Sequence, residues 1–225
     1  MQTNELALGS EKRKRRILIV EDHAIVRLGM RQLIAADPSL IICGEAESAD
    51  QALASAPALR PDLAIVDLSL GETNGLELIR QLHELLPGLP VLVLSMHDEA
   101  LFAERVLRAG ARGYIMKSGA IDGLVQAIQT VLAGKIYTSE RVSQELLAAL
   151  SGHGVSTTGS LGSLTDRELE VFEMIGRGLG TSAIANQLGI SVKTIETYRS
   201  NIKTKLRLKD ATDLIRFAAS WVERL

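Results

Sequence analysis

Five short runs of apolar residues, Ile17–Val20, Leu40–Cys43, Leu63–Val66, Val91–Leu94 and Tyr114–Met116, punctuate the first 135 residues of the chain. A strand that is apolar at every position has no face to give to water, so it must be covered on both sides. Between the runs the apolar residues change to helical spacing: Val26, Met30, Leu33 and Ile34, then Leu76, Ile79 and Leu82, then Leu124, Ala127, Ile128 and Val131. Such strands alternating with amphipathic helices predict an α/β doubly wound domain over residues 16–135, a five-stranded parallel sheet of the flavodoxin-like class.

Residues 136–163 read as a linker: one further helix over Ser139–Leu150, then Ser151–Ser163, which holds four Gly and four Ser and no core-forming period. From Leu164 onward the pattern is helical only. Segments Asp166–Ile175, Thr181–Leu188, Ser191–Leu206 and Asp210–Val222, parted by Gly-containing or polar turns, predict a small all-α four-helix domain over residues 164–225. A length of 225 residues, 46% hydrophobic and 23% charged, suits two ordinary cores and excludes a disordered, collagen-like or membrane-spanning chain.

The net charge of −2 excludes a protein that coats nucleic acid by bulk charge. The balance is uneven, however: 15 basic residues face 19 acidic ones before Leu164, and 10 face 8 from there on, so only the carboxy-terminal domain favours an anion. Residues 1–15 form a basic tail, read as solvated and mobile rather than as a nucleic-acid arm. The apolar run behind it stops at Glu21-Asp22, short of the ~7–15 residues of a signal-peptide core. Cys43 stands alone, which forbids an internal disulfide and reads as a buried thiol in a reducing compartment. The expected location is the cytoplasm, with no membrane partner.

In a doubly wound sheet ligands sit beyond the carboxyl ends of the strands. There the first strand ends in Glu21-Asp22, the third in Asp67 and the fourth in Ser95, and Lys117 lies just past the fifth. Each type has a use in phosphoryl transfer. Clustered carboxylates hold Mg²⁺ through oxygen, and Asp67 serves as nucleophile. Lys117 offers a compact cation to the phosphoryl group, and Ser95 a hydroxyl hydrogen bond. Taken singly, a strand-end Asp caps the next helix and a loop Lys is merely solvated. Independent capping does not require acids at strands one and three together with a lysine after strand five.

With these residues in place, the segment 16–135 resembles a bacterial two-component receiver domain. The resemblance implies that Asp67 accepts a phosphoryl group from a sensor histidine kinase. It further implies that Mg²⁺ is held by Asp22, Asp67 and the backbone carbonyl of Ser69, with Glu21 assisting through water. Tyr114 would be the switch aromatic that turns inward when Ser95 moves toward the phosphoryl group. Two positions depart from the family pattern: Leu70-Gly71 replaces the usual Met-Pro, and Ser118 replaces the Pro after the lysine. A phosphatase reading of the same residues wants a second acid two positions after the nucleophile, where this chain has Ser69.

In the carboxy-terminal part, Thr165-Asp166-Arg167-Glu168 spells a capping box. Thr181–Leu188 and Ser191–Leu206, joined through Gly189-Ile190, make a helix-turn-helix. On the longer helix Ile195, Ile202 and Leu206, helped by Tyr198, share the face that packs inward. Lys193, Glu196, Thr197, Ser200 and Lys203 or Thr204 share the opposite one. Such a face is either a solvated surface or a reader of the major groove.

Residues Leu164–Val222 resemble the LuxR-type DNA-binding domain through Leu164-Thr165-Asp166-Arg167-Glu168, Ile184-Ala185, Leu188-Gly189-Ile190-Ser191, Lys193-Thr194-Ile195, Asn201-Ile202 and Lys205-Leu206. Both motif sets together resemble the NarL/FixJ family of response regulators, phosphorylation-controlled switches rather than enzymes. The resemblance makes 191–206 the recognition helix, with Glu196, Thr197 and Ser200 as base readers. Lys193, Arg199, Lys203 and Lys205 would serve phosphates, with Thr194 beside them. The implied partners are promoter double-stranded DNA, RNA polymerase and a second copy of the chain. The last helix, with Leu214, Phe217, Ala218 and Trp221, either pairs DNA-binding domains or closes its own core.

Overall fold

Each of the five apolar runs is a strand: β1 (Arg15–Val20), β2 (Leu40–Ala46), β3 (Leu63–Val66), β4 (Val91–Ser95) and β5 (Gly113–Met116). The computed structural model describes residues 13–70, 73–144 and 159–223. All five strands are parallel and lie in the order β2-β1-β3-β4-β5. The chain starts in the middle of the sheet, winds to one edge, returns and winds to the other. The switch point therefore falls between β1 and β3.

Helices α1 (Ala24–Ala35), α2 (Ala49–Leu59), α3 (Gly75–Leu85), α4 (Glu99–Arg108) and α5 (Ala120–Leu132) cover both faces. The two-residue period of the strands sorts the core into two halves. Ile17, Ile19, Ile65, Leu92 and Leu94 pack on Met30 and Ile34 of α1 and on Leu124, Ala127 and Ile128 of α5. Leu18, Val20, Val66, Val91 and Val93 pack on the side of α2, α3 and α4, with Ala52, Ala56, Ile79, Leu82, Phe102 and Val106.

The carboxy-terminal domain consists of α6 (Asp166–Gly176), α7 (Thr181–Leu188), α8 (Val192–Lys205) and α9 (Ala211–Val222). Side chains start three of them: Thr165 with Glu168 in a reciprocal capping box, Ser191 on the Thr194 amide, and Asp210 on the Asp213 amide. Gly189, in the left-handed region at φ 67°, ends α7 and turns the chain into α8. Phe172, Ile184, Ile195, Ile202 and Leu214 are fully buried. Phe217 lies against Phe172 at 5.8 Å between ring centres, so the apolar face of α9 closes the core of its own domain. The apolar cluster on the α2–α4 side of the sheet continues without a break into this second core.

Two expectations differ from the structure, and a third is met in part. The helix expected over Ser139–Leu150 is helical at 140–144, and residues 145–150 lie outside the described residues. The segment after α5 is not simply linker: Tyr137 pairs with Gly113 along the open edge of β5, its amide donating to Arg112 O and its carbonyl accepting from Tyr114 N. At the far end of the Gly/Ser stretch Leu161 is fully buried, a lone anchor that shows no period in the sequence. Cys43, expected buried, is half-buried and free. Among the described residues no helix is long and apolar enough to cross a membrane.

The chain leaving Asp67 makes a short hairpin, Ser69–Leu70 against Thr73–Asn74, and enters α3 at Gly75. Gly75 N donates to Leu68 O at 3.0 Å. A Cβ there would sit 2.4 Å from the Asp67 carbonyl oxygen and 2.6 Å from Leu68 Cα, both backbone atoms that cannot yield. Gly75→Ala should therefore cost about 2 kcal/mol through forced displacement of this loop. Gly29→Ala on α1, where a Cβ meets open space, should gain about 0.5–1 kcal/mol. Urea unfolding of the two variants beside the native chain checks both signs.

Candidate functional site

The carboxyl ends of β1 and β3 are neighbours in the sheet, which sets Glu21 and Asp67 side by side. The Asp67 amide donates to Val20 O, and that of Glu21 to Ala46 O, so ladder bonds fix both residues just past the strand ends. Both carboxylates are buried. Lys117, on the turn after β5, brings Nζ to 2.8 Å from Asp67 Oδ2 and 2.7 Å from Glu21 Oε2. One ammonium thus serves two buried acids. Burial and the charge of Glu21 push the Asp67 pKa up to about 6 against the pull of Lys117. Burial would lower that of Lys117, but Asp67 and Glu21 outweigh it and hold the amine charged.

Asp22 and His23 complete the acidic group. Glu21, Asp22, His23 and Asp67 each offer a donor atom within 4.8 Å of the others. Among the described residues, Asp67 Oδ1 is a buried oxygen without a hydrogen-bond partner, while Glu21 Oε2 rests on the Lys117 ammonium and Asp22 Oδ1 lies 2.6 Å from His23 Nδ1. A buried carboxylate oxygen in that state is costly, and a hard cation satisfies it. Arg27 pins the loop that carries Glu21 and Asp22: Nη1 donates to both their carbonyls, at 2.6 and 3.0 Å, and the guanidinium also pairs with Glu47. Sequence reading missed Arg27, because a cation beside Val26 and Met30 looks like the wet flank of an apolar stripe.

Ser95, at the end of β4, is buried. Its Oγ accepts from the His97 amide at 3.2 Å. Tyr114 is buried with its ring inward, and its hydroxyl donates to the His97 carbonyl at 2.9 Å. Burial raises its pKa well above the ordinary tyrosine value. The site residues expected from the sequence, Glu21, Asp22, Asp67, Ser69, Ser95, Tyr114 and Lys117, thus gather at one end of the sheet.

The sequence did not disclose what lies over this end. Helix α6 of the carboxy-terminal domain directs two carboxylates at His97, Glu173 Oε2 at 2.6 Å from Nδ1 and Glu170 Oε1 at 3.2 Å from Nε2. Nε2 is also 3.0 Å from Ser69 Oγ. Burial would lower the histidine pKa, but hydrogen bonds and charge from Glu170 and Glu173 raise it to about 9, so the ring is an imidazolium at neutral pH. Both glutamates are buried, and burial alone would raise them. The bond to His97 comes next in weight, and together with its charge and those of Arg167 and Arg177 it holds them below the ordinary carboxylate value. Further along the seam, Arg105 donates to Leu164 O, Leu161 O and Asp166 Oδ1, all within 2.9 Å. A cavity of about 300 Å³ remains between the domains, with Asp22, Asp67, Ser69 and Lys117 on one side and Met174 and Leu188 on the other.

On α8, Ile195 and Ile202 are fully buried and Tyr198 and Leu206 partly so. Lys193, Glu196, Thr197, Ser200 and Thr204 are exposed, while Arg199 and Lys203 are half-buried. Three of the expected contacts are already engaged within the domain, the Thr197 hydroxyl by donating to the Lys193 carbonyl at 3.1 Å. Lys205 Nζ is 2.6 Å from Glu168 Oε2, and the Thr194 hydroxyl is 2.8 Å from that of Ser191.

Two family models match the chain: the response regulator receiver domain over residues 17–129, and the bacterial regulatory proteins of the luxR family over 162–218. Among curated proteins it is similar to the oxygen regulatory protein NreC of Staphylococcus haemolyticus, 34% identical over 90% of this chain and 96% of that one. It is 35% identical to the DNA-binding transcriptional activator DevR/DosR of Mycobacterium tuberculosis, over 90% and 93% of the two chains. The nitrate/nitrite response regulator NarL of Escherichia coli is 32% identical over 92% and 94%. Among solved structures, RcsB from Salmonella enterica serovar Typhimurium, bound to promoter rprA in the presence of phosphomimetic BeF3-, matches with a TM-score of 0.61 and 26% identity over 92% of this chain and 98% of that one.

Removing one partner from a buried ion pair strands the other charge. Lys117→Ala should destabilise the chain by about 3 kcal/mol at neutral pH. Asp67→Asn in the same chain should recover part of that loss, since it removes the repulsion from Glu21. A urea-unfolding double-mutant cycle reads the recovery, and strictly additive losses would contradict the shared-ammonium arrangement.

Proposed function

Because the chain belongs to the NarL/FixJ family of response regulators, DNA-binding transcriptional regulators rather than conventional enzymes, we propose that Asp67 is its phosphoacceptor and α8 its recognition helix. The observation that carries the first half is the buried Asp67 carboxylate, held by Lys117 on one oxygen and left without a partner on the other. The donor is a sensor histidine kinase. The P–N bond to its imidazole breaks as the bond to an Asp67 oxygen forms, and the electron pair leaves with the imidazole.

Asp22, Asp67 and the Ser69 backbone carbonyl would hold Mg²⁺, with Glu21 acting through water, and the unpartnered Asp67 Oδ1 within this cluster of carboxylates fits a hard dication. When bound, the ion neutralises charge on the phosphoryl oxygens. Lys117 lies where its ammonium meets the same oxygens, and the Ser95 hydroxyl donates to one of them. Tyr114 is packed behind Ser95, so a shift of Ser95 is felt at its hydroxyl. Positioning and electrostatics do the work. Hydrolysis of the acyl phosphate resets the switch, and no separate substrate is turned over.

On the output side, the exposed face of α8 presents Glu196, Thr197 and Ser200 to base edges. Lys193, Arg199 and Lys203 face phosphates, and Lys205 joins them once it parts from Glu168. One such helix reads few base pairs, so promoter binding employs two copies on half-sites about one turn, ~34 Å, apart. Among the structural relatives, RcsB is described as dimers bound to DNA. The residues from 16 to 135 are the input unit and those from 164 onward the output unit, working in the cytoplasm.

Incubation with acetyl phosphate and Mg²⁺ should place one phosphoryl group on Asp67, detected by mass spectrometry, and Asp67→Asn or EDTA should abolish it. A native chain labelled elsewhere, or labelled equally after Asp67→Asn, overturns the assignment. In selection from a random duplex pool, Thr197→Ala or Ser200→Ala should change the preferred bases. Lys203→Ala should weaken binding to every sequence and reduce the salt slope by about 1.

A further inference from the structure

The acidic pocket and the recognition helix leave one buried group unassigned: His97 with Glu170 and Glu173. We propose that these three residues form a latch that closes the DNA-binding domain over the phosphoacceptor, and that phosphorylation must work against this latch. The proposal rests on Asp67 being the phosphoacceptor and adds the device that ties it to the second domain.

The geometry makes His97 a junction. Its backbone belongs to the switch: the amide donates to Ser95 Oγ at 3.2 Å, and the carbonyl accepts from the Tyr114 hydroxyl at 2.9 Å. Its ring belongs to the seam, reaching Glu173 at 2.6 Å and Glu170 at 3.2 Å while lying against Phe102 at 4.8 Å between ring centres. The same nitrogen that meets Glu170 meets Ser69, two residues from Asp67.

Two buried carboxylates on one helix repel each other, and a cation between them is what allows both to stay. Each glutamate divides its oxygens in the same way. One faces His97, and the other faces an arginine of α6 or just beyond it, Arg167 at 2.7 Å from Glu170 and Arg177 at 2.6 Å from Glu173. When α6 withdraws, the arginines travel with it, and what must be rehydrated is the histidine side of each acid and the bond that Glu173 Oε1 accepts from the Asp98 amide at 3.2 Å. The contact is built to break and re-form.

Phosphorylation acts on this junction from two directions. A phosphoryl group adds about −1.5 to −2 charges, and the nearest α6 carboxylate, Glu170, is 3.3 Å from Ser69 Oγ. It also draws the Ser95 hydroxyl toward itself, which takes the acceptor from the His97 amide. By linkage the effect is reciprocal: whatever loosens α6 makes the acceptor easier to activate. The exposed residues of α8 do not take part in the latch, which guards the input end directly.

The test uses the full chain with Mg²⁺ and beryllofluoride, read by small-angle scattering and by the beryllofluoride concentration at half-saturation. The native chain should expand on activation. Glu170→Gln/Glu173→Gln should already have the expanded radius and should half-saturate at a concentration about fivefold lower or less, the lower end of ordinary coupling between sites. Glu173→Gln alone, which keeps one acid, should fall between and guards against a double variant that fails to fold. Adding His97→Gln to the double variant should change neither reading, because the partners it lacks are already gone. A double variant that stays compact, or that expands with an unchanged half-saturation, overturns the latch. A native chain that acetyl phosphate does not label on Asp67 overturns instead the phosphoacceptor assignment on which the latch rests.

Discussion

Two acids and one amine, nearly closed off from water, set the conditions for everything else in this molecule. Glu21 and Asp67 are placed by adjacent strands, and neither can move without breaking a ladder bond at the centre of the sheet. Their charge is tolerable only because Lys117 reaches both. The arrangement is under-compensated by design: one positive charge faces two negative ones, and the buried Asp67 Oδ1 remains without a hydrogen-bond partner. A site left short of positive charge and of donors is ready for a metal ion and for a group that brings its own oxygens, and it ties stability to the same chemistry that signals.

Much of this was legible in the sequence for a simple reason. The apolar runs of β1, β3 and β4 are buried on both faces, and the first polar residue after each marks the strand end, whereas β2 at the sheet edge carries Glu45 and is partly exposed. Asp67 follows Val66, Ser95 follows Leu94, and Glu21 follows Val20. The four helices of the second domain were equally readable, because Thr165, Ser191 and Asp210 cap through local hydrogen bonds that leave a local signature.

What the sequence concealed is long-range. Glu170 and Glu173 sit in a helix whose first turn is acidic for capping, and nothing nearby shows that they point into another domain. Their partner His97 lies more than 70 residues away, in a Met-His-Asp stretch that reads as an ordinary loop. Arg27 is similar: its carbonyl acceptors are backbone atoms, which carry no residue-type signature. Leu161 escaped because one leucine among glycines and serines has no period, although it is fully buried.

The pairing of Tyr137 with Gly113 gives the receiver half a boundary that its helices do not mark. A chain cut directly after α5 would strip β5 of its outer neighbour and bare a strand edge whose amides and carbonyls seek another partner. Such a fragment would be prone to self-association through that edge. Anyone isolating this half for binding studies would then mistake an artefact of trimming for natural dimerisation, whereas a fragment carried past Thr138 keeps the edge covered.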